Sequence, residues 1–352
     1  MIQIEDLLKM GAECKASDIH ITVGLPPMMR VNGRIRPFET ETLMPKDTEK
    51  YVKSILNEEQ YEKFISVGEI DLSFALPGIS RFRINAFRQR GSDAMVLRTI
   101  PIQIPTLEKL GMPPILKELT EKTRGLVLVT GPTGSGKSTT LAAMINEINS
   151  KREAHVITLE DPIEYLHKHK KSIVNQREIG YDTKSYGNAL RAALREDPDV
   201  ILVGEMRDLE TISIAVTAAE TGHLVLSTLH TVGASKTVDR VVDVFPPYQQ
   251  QQIKVQLAAV LEGVISQQLI ERADGDGRVC AMEIMVTTPA IRNLIREGKT
   301  HQIDSSVQTG RKYGMISMDM ALVDLHKKGL ITYEELMKYC VDREIMTRLI
   351  NM

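Results

Sequence analysis

The feature that most constrains this chain is the glycine-rich segment at residues 131–138, which reads Gly-Pro-Thr-Gly-Ser-Gly-Lys-Ser. It matches the pattern G-x-x-x-x-G-K-[ST] at every fixed position. Residues 126–129 predict an apolar strand before it, and residues 138–148 predict a helix after it. Glycines let backbone N–H groups turn towards an anion, and the following helix directs its positive end at the same point. The segment therefore predicts a phosphate-binding loop in an α/β domain.

The side chains of this loop indicate that the anion is the triphosphate of ATP. Lys137 carries a mobile charge for the β- and γ-phosphates, and the hydroxyl of Ser138 is short enough to coordinate Mg²⁺. We therefore expect ATP and Mg²⁺ as ligands. The loop residues predicted to bind the nucleotide are Gly131, Pro132, Thr133, Gly134, Ser135, Gly136, Lys137, Ser138 and Thr139.

Length, charge and cysteine content narrow the class of protein. The chain has 352 residues, enough for two domains. A net charge of −2, no Trp and 4% aromatic residues indicate neither a basic field nor base-stacking platforms, so no nucleic-acid partner is expected. Three scattered cysteines without a CxxC pair predict neither a zinc site nor a disulfide framework. The sequence shows no signal peptide and no apolar run of about 18 residues, so we expect a cytoplasmic protein without a membrane span.

The first 100 residues predict a domain of mixed α and β structure. Residues 4–12 predict a helix, and Pro45 begins a helical stretch that extends to about residue 64. Asn32 and Gly33 predict a hairpin turn. A small antiparallel sheet with helices on it fits the pattern. The predicted strands are residues 18–23, 28–31, 70–75, 81–88 and 94–99.

The rest of the chain changes to strands that alternate with helices. Prolines at positions 101 and 105 predict a linker over residues 101–113. Residues 114–288 then predict a parallel sheet covered on both faces, and residues 289–352 predict helices only. The predicted strands are residues 126–129, 156–159, 200–203 and 224–229; the helices are residues 138–148, 186–195 and 209–220, and the C-terminal breaks lie near Gly298, Gly314 and Gly329.

Three acidic residues follow the strand predicted at residues 156–159: Glu160, Asp161 and Glu164. Ligands of open α/β sheets bind at the carboxyl ends of the strands. These acids are therefore candidates for contacting metal-bound water and for activating the water that attacks the γ-phosphate. The alternative is a solvated acidic turn.

The segment at residues 200–208, Val-Ile-Leu-Val-Gly-Glu-Met-Arg-Asp, has the form of a Walker B strand. Gly204 stands where an aspartate is usual, and the acid is Glu205. In an ideal strand, a residue one position further on points to the other side of the sheet. We therefore favour contact of Glu205 with Mg²⁺ through water. Arg207 either pairs with Glu205 or faces a neighbouring subunit.

Two histidines flank the strand predicted at residues 224–229. His223 and His230 are not a metal pair, because seven residues of strand span about 23 Å. His230 lies at the carboxyl end, where it could sense the γ-phosphate. A purely structural role is the alternative for both histidines.

The loop and the three segments around residues 160, 205 and 230 resemble the type II/IV secretion and pilus ATPases in order and spacing. In that family they are named Walker A, Asp box, atypical Walker B and His box, and a Gly-Glu ending of the Walker B strand is normal. The resemblance covers nearly the whole chain. It implies a PAS-like N-terminal α+β domain followed by a RecA-like P-loop ATPase domain with C-terminal helices.

Residues 290–297, Ala-Ile-Arg-Asn-Leu-Ile-Arg-Glu, are similar to a helix motif that the family associates with pilus retraction. By spacing alone, Ile291, Leu294 and Ile295 form an ordinary apolar helix face. The resemblance implies a hexameric ATPase that depolymerises and retracts type IV pili for twitching motility. Its partner would be an inner-membrane platform protein, at the cytoplasmic face of that membrane. The alternatives are an accessory retraction ATPase of the same branch and a RecA-like nucleic-acid motor.

The resemblance also implies that arginines of the N-terminal domain contact ATP, and residues 81–85 match the segment that supplies them. Spacing alone would make Arg81 and Arg83 one solvated strand face, and Arg88 is a further candidate. The predicted catalytic residues are Glu164, Glu205, Lys137, Glu160 and His230. Nucleotide contacts outside the loop are predicted for Arg81, Arg83, Arg98, His223 and Arg207, and metal contacts for Ser138 and Glu205.

Overall fold

A computed structural model describes residues 2–31, 33–100 and 103–350. Asn32 of the predicted hairpin turn and Pro101 and Ile102 of the predicted linker lie outside the described residues. The chain divides into two compact units. The first unit is Met1–Ile104 with Pro162–Leu166, and the second is Pro105–Asp161 with His167–Met352.

The first unit is an antiparallel sheet with helices, as the sequence predicts, but it has six strands, because Arg34–Pro37 forms a strand that the sequence did not indicate. The strand order is β3-β2-β1-β6-β5-β4. The elements are α1 Ile4–Glu13, β1 Asp18–Ile21, β2 Met28–Val31, β3 Arg34–Pro37, α2 Pro45–Ile55, α3 Glu58–Val67, β4 Glu69–Leu76, β5 Ser80–Gln89 and β6 Ser92–Ile100.

Alternation along β5 shows why this sheet buries one face. Phe82 and Ile84 are fully buried, whereas Arg81 and Arg83, which alternate with them, are half-buried on the other face. The buried face packs with apolar side chains of the helices, among them Tyr51. The prediction that Arg81 and Arg83 share one strand face is confirmed.

The helical stretch predicted from Pro45 to about residue 64 is found, and it is divided into two helices. Leu56 adopts an extended conformation with ψ 137°, which ends α2. The side-chain oxygen of Asn57 accepts a hydrogen bond from the backbone N–H of Gln60 at 2.8 Å, and Gln60 accepts from the N–H of Asn57 at 3.1 Å. This reciprocal capping box starts α3.

The second unit alternates strands and helices and ends in helices. Its elements are α4 Ile115–Thr120, β7 Gly125–Thr130, α5 Lys137–Lys151, β8 His155–Glu160, β9 Ile173–Glu178, α6 Tyr186–Ala193, β10 Val200–Val203, α7 Leu209–Glu220, β11 Leu224–Leu229, α8 Ala234–Asp243, α9 Pro247–Val260, β12 Leu261–Glu271, β13 Arg278–Val286, α10 Pro289–Glu297, α11 Ile303–Thr309, α12 Met318–Lys327, α13 Tyr333–Tyr339 and α14 Arg343–Ile350.

These strands form one sheet in the order β13-β12-β7-β11-β10-β8-β9. All neighbours pair in parallel except β12 and β13, which form an antiparallel hairpin. The four predicted strands are confirmed, and apolar side chains cover both faces of the sheet. An entirely parallel sheet is not found, because the turn around Gly275 and Gly277 returns β13 beside β12.

The C-terminal helices break where the sequence predicts. Gly298, Gly314 and Gly329 all have positive φ, at 72°, 80° and 69°, which is the left-handed conformation that ends helices. Across the part of the chain that the structure describes, no helix is long and apolar enough to cross a bilayer.

Helix α10 is anchored by Arg292 as well as by its apolar face. Ile291 and Ile295 are fully buried, which confirms the predicted face. The guanidinium of Arg292 donates to the carbonyls of Ala258 and Ala259 at 2.7 Å each, and to Oε1 of Glu262 at 2.7 Å. Arg292 therefore ties α10 to the junction between α9 and β12.

We expect Arg292→Met to lower the free energy of unfolding by about 2 kcal/mol or more, because it removes the charged donor of two carbonyls and of Oε1 of Glu262. Arg296→Met is the matched control, since Arg296 lies exposed on the same helix. Chemical denaturation of the two variants and the parent measures the difference. Equal stability of both variants would show that the Arg292 contacts contribute nothing.

Candidate active site

The phosphate loop connects β7 to α5 and has the backbone that an anion site requires. Gly131 and Gly136 have φ values of 140° and 88°, in the left-handed range that favours glycine. A Cβ atom on Gly131 would lie 2.3 Å from the carbonyl oxygen of Gln267, so glycine is required there for space as well. Gly136 caps α5, whose N-terminal N–H groups face the loop.

Lys137 lies buried at the centre of this loop. Its ammonium donates to the carbonyls of Gly131 and Pro132 at 2.9 and 3.1 Å. The same Nζ lies 3.5 Å from Nδ1 of His230. Two predicted site residues that are 93 positions apart in sequence are thus brought together.

His230 links this lysine to the predicted Walker B acid. Its Nε2 lies 3.5 Å from Oε2 of Glu205, so the imidazole stands between an ammonium and a carboxylate. Glu205 Oε1 also accepts from Nε of Arg207 at 2.7 Å, which confirms the predicted pairing of these two residues. The Glu205 side chain is 17% exposed, whereas that of Arg207 is 73% exposed. Lys137, His230, Glu205 and Arg207 therefore form one continuous line of polar side chains.

The objection that Glu205 would point to the wrong side of the sheet is removed by the geometry. Strand β10 ends at Val203, so strand alternation does not continue to Glu205. The backbone on both sides of Glu205 is held by Thr228, which donates to the Gly204 carbonyl at 2.6 Å and accepts from the Met206 N–H at 3.1 Å. This arrangement leaves the Glu205 side chain free to face His230.

Gly204 is required because the chain is crowded at this point. A Cβ atom here would lie 2.9 Å from the hydroxyl of Tyr186 and 3.1 Å from the carbonyl of Leu159. The glycine in place of the usual Walker B aspartate therefore makes room for Tyr186.

Tyr186 is a site residue that the sequence did not indicate. Burial, followed by the carboxylates of Glu205, Asp161 and Glu160, raises the pKa of its hydroxyl far above the ordinary value. The hydroxyl therefore stays protonated beside these three acids. The sequence shows only that Tyr186 begins a predicted helix, and this position does not indicate a residue of the active site.

Glu160 is held in a fixed position at the same edge of the sheet. Its Oε1 accepts from the hydroxyl of Thr158 at 2.6 Å and from the amide of Gln176 at 3.0 Å. Leu159 pairs in register with Val203, so Glu160 and Glu205 follow neighbouring strand ends. The alternative of a freely solvated acidic turn does not describe Glu160.

The structure separates His223 from the phosphate loop. His223 precedes β11, at the amino end of a strand that runs parallel to β7, and its Nδ1 lies 2.8 Å from the carbonyl oxygen of Ala218. Six residues of strand, about 20 Å, lie between it and His230. This position does not support nucleotide binding by His223 at the loop of its own chain.

The other predicted site residues belong to the first unit. Glu164 lies in Pro162–Leu166, which groups with that unit. Arg83 and Arg98 pair across β5 and β6, and Nε of Arg98 donates to Asp18 at 3.0 Å. Arg81 lies on the same strand as Arg83. The roles of these four residues stay predictions.

The residues present fit a magnesium ion that is held mainly by nucleotide and water. No group of three or more His, Cys, Asp or Glu side chains with metal-ligand geometry occurs among the described residues. Ser138 is exposed in the first turn of α5, and Glu205 offers a carboxylate at the same edge of the sheet. Mg²⁺ needs only one or two such oxygens, because it keeps several waters and binds phosphates.

The amino-acid sequence of this chain is similar to that of a known protein family. The sequence profile of the type II/IV secretion system protein family matches residues 4–338. The chain belongs to this family. Its membership confirms the predicted ATPase activity and the predicted fold, a PAS-like N-terminal domain followed by a RecA-like ATPase domain.

Individual members of the type II/IV secretion family are close in sequence. The type IV pilus retraction ATPase PilT of Pseudomonas aeruginosa is 53% identical over 333 residues, covering 95% of this chain and 96% of PilT. The type IV pilus ATPase PilU of the same organism is 43% identical over 334 residues, covering 95% and 87%. A crystal structure of the pilus retraction motor PilT with bound ADP superposes with a TM-score of 0.93 at 50% identity, covering 99% of this chain and all of that one.

We expect Gly204→Ala to lower both ATP turnover and stability, the latter by about 1–3 kcal/mol, because the new Cβ displaces Tyr186 and the Leu159 carbonyl. Adding Tyr186→Phe removes the closest contact, so the double variant should recover part of the stability. Thermal unfolding and ATPase rates of both single variants and the double variant test this. A Gly204→Ala protein as stable and active as the parent would contradict the proposed reason for glycine.

Proposed function

We propose that this chain is the motor of type IV pilus retraction, a ring of six copies that hydrolyses ATP with Mg²⁺ and drives pilus depolymerisation. The observation that carries the enzymatic part is the line from Lys137 through His230 to Glu205 beside the phosphate loop. Similarity to PilT over nearly the whole chain supports the pilus part.

The loop supplies phosphate binding by its backbone and by Lys137. The ammonium already lies within the curve of the loop, where two carbonyls hold it, so little reorganisation is needed to meet the β- and γ-phosphates. Ser138 and Glu205 would hold Mg²⁺, the latter through water, and the ion would supply charge neutralisation on the phosphates.

Glu160, Glu164 and His230 complete the proposed chemistry. Thr158 and Gln176 fix the carboxylate of Glu160 at the edge of the sheet, so that it can orient water at a defined point. Glu164 is proposed to activate the attacking water. His230 contacts both Lys137 and Glu205, so its position responds to whether a γ-phosphate draws the ammonium away.

Arginines of the first unit are proposed to act on the phosphates. Arg81, Arg83 and Arg98 would stabilise the charge that develops on the γ-phosphoryl group. Arg207 is exposed beyond its pair with Glu205, and it is proposed to contact nucleotide at a subunit boundary. His223 is proposed as a structural residue.

The proposed partner is an inner-membrane platform protein of the pilus machine, with this chain at the cytoplasmic face of that membrane. Changes in the angles between rigid units would pass the energy of hydrolysis to that partner. On α10, Arg292 is occupied by internal contacts, whereas Asn293, Arg296 and Glu297 are exposed. Those three side chains are available for a partner.

Two alternative functions are weaker. An accessory ATPase like PilU is less favoured, because identity to PilU is 43% against 53% to PilT. A RecA-like nucleic-acid motor is disfavoured by the net charge of −2 and the 4% aromatic content. ATPase rates with and without single-stranded DNA separate this last alternative, since strong stimulation by DNA would contradict the pilus proposal.

We expect Lys137→Ala to abolish ATP hydrolysis, because it removes the ammonium that the loop holds for the β- and γ-phosphates. Twitching motility of a retraction-deficient deletion strain should be restored by the parent chain and not by this variant. Lys151→Ala is the matched control on the same helix, since Lys151 is exposed at the far end, where its ammonium pairs with Glu147. A parent chain that hydrolyses ATP without restoring motility would contradict the pilus part alone.

We expect Glu164→Gln to lower the turnover number more than about tenfold while the affinity for ATP changes less, because the amide cannot accept a proton from water. Steady-state kinetics and equilibrium nucleotide binding give the two values. Glu153→Gln, an exposed acid at the amino end of β8, serves as the control. Unchanged turnover would remove Glu164 from the catalytic residues.

A further inference from the structure

Strand β12 lies next to the phosphate loop and carries two buried polar side chains at consecutive positions. Ser266 and Gln267 are 0% and 1% exposed, in a strand that is otherwise buried mainly through apolar residues. In the parallel pairing with β7, Ser266 is in register with Thr130, so Gln267 lies beside the first residue of the loop. Neither residue was indicated by the sequence.

Gln267 approaches the phosphate loop with both its side chain and its backbone. Its side-chain amide donates to the carbonyl of Ser135 at 2.7 Å in a buried hydrogen bond that spans 132 positions. The backbone carbonyl oxygen of Gln267 would lie 2.3 Å from a Cβ atom on Gly131. Its side-chain amide nitrogen would lie 3.2 Å from a Cβ atom on Gly136. One residue therefore contacts the beginning, middle and end of the loop.

Ser266 contacts the segment that follows His230. Its hydroxyl oxygen accepts from the N–H of Gly233 at 2.9 Å. The residue opposite Ser266 on β13, Glu283, accepts from the N–H of Ala234 at 2.7 Å. The two bonds fix the start of α8, and with it the short segment that positions His230.

Strand alternation explains how neighbouring residues can hold two different loops. Consecutive side chains of a strand point to opposite faces. Ile265 packs with the apolar cluster around α5, and Val264 packs with the cluster that includes α8. Gln267 therefore lies on the α5 face with the phosphate loop, and Ser266 lies on the α8 face.

Stability alone does not account for the amide of Gln267. Its Oε1 is buried and has no hydrogen-bond partner among the residues that the structure describes. Burying an amide with one unsatisfied atom costs free energy of folding that an apolar side chain of the same size would not cost. The advantage of glutamine at this position must then come from its hydrogen bond to the phosphate loop.

We propose that Gln267 and Ser266 are positioning residues of the ATPase reaction, which set the phosphate loop and the His230 segment relative to each other. Gln267 holds the Ser135 carbonyl, so that the loop keeps its N–H groups directed at bound phosphate. Ser266 holds His230 within reach of Lys137, where Nδ1 and Nζ are 3.5 Å apart. This inference rests on the ATPase part of the proposed function and not on pilus retraction.

The test compares Gln267→Met and Ser266→Ala with the parent in the full-length chain, with ADP as the binding probe. Gln267→Met keeps the size of the side chain and removes the donor. It should weaken ADP binding and raise the KM for ATP by about tenfold, and kcat should stay within about threefold. Ser266→Ala should do the reverse, lowering kcat by about tenfold with ADP affinity within about twofold of the parent.

Gln268→Met is the matched control, because it makes the same exchange one position further on at a half-buried site. It should leave both constants unchanged. Thermal unfolding without nucleotide is measured for all variants. If the two residues had only a structural role, each variant would be less stable, but Gln267→Met would not change mainly KM and Ser266→Ala would not change mainly kcat. That result would overturn the proposal.

Other outcomes are equally decisive. Gln267→Met that binds ADP within about twofold of the parent would overturn the proposal. If Gln267→Met does not fold, Gln267→Asn, whose amide is too short to reach Ser135, gives the same comparison. Failure of both to fold would also overturn the proposal, because a positioning residue is dispensable for the folded state. A parent chain that binds no ADP would contradict the proposed function itself.

Discussion

The candidate site depends on the parallel pairing of four strands, β7, β11, β10 and β8. Their backbone hydrogen bonds run in register, so all four carboxyl ends lie at one edge of the sheet. Each strand brings one polar side chain to that edge, either from its last residue or from the segment that follows it. In the order of the strands, these residues are Lys137, His230, Glu205 and Glu160. The chemistry of the site is thus a consequence of sheet topology.

Much of this arrangement could be predicted because its signals are local. The phosphate loop is a continuous motif, and the four central strands are short apolar runs bounded by helices. Strands that end in the same direction bring their following residues together, so Lys137, Glu205 and His230 were recognisable as one set. The helical stretch after Pro45 was also predicted, but not its division by the capping box at Asn57 and Gln60.

What could not be predicted depends on contacts between distant parts of the chain. Strand β12 follows α9 without a break, and the polar residues Ser266 and Gln267 obscure its apolar pattern. Those residues are polar because two loops far away in sequence need partners there. Tyr186 is similar, since its closeness to Gly204 depends on packing and not on spacing. The Gly-Glu ending of β10 can be understood only once this tyrosine is placed.

The Arg292 contact on α10 has a consequence for the active site. Between Leu261 and Gly263 the pairing of β12 with β7 shifts by one residue, and Glu262 is the extra residue of that bulge. Its carboxylate binds both Arg292 and Lys122. A one-residue slip of a strand exchanges its two faces, so the bulge decides which of the next polar residues faces which loop. Helix α10, through Arg292 and Glu262, thereby helps to fix the strand register that places Ser266 and Gln267 at the ATPase site.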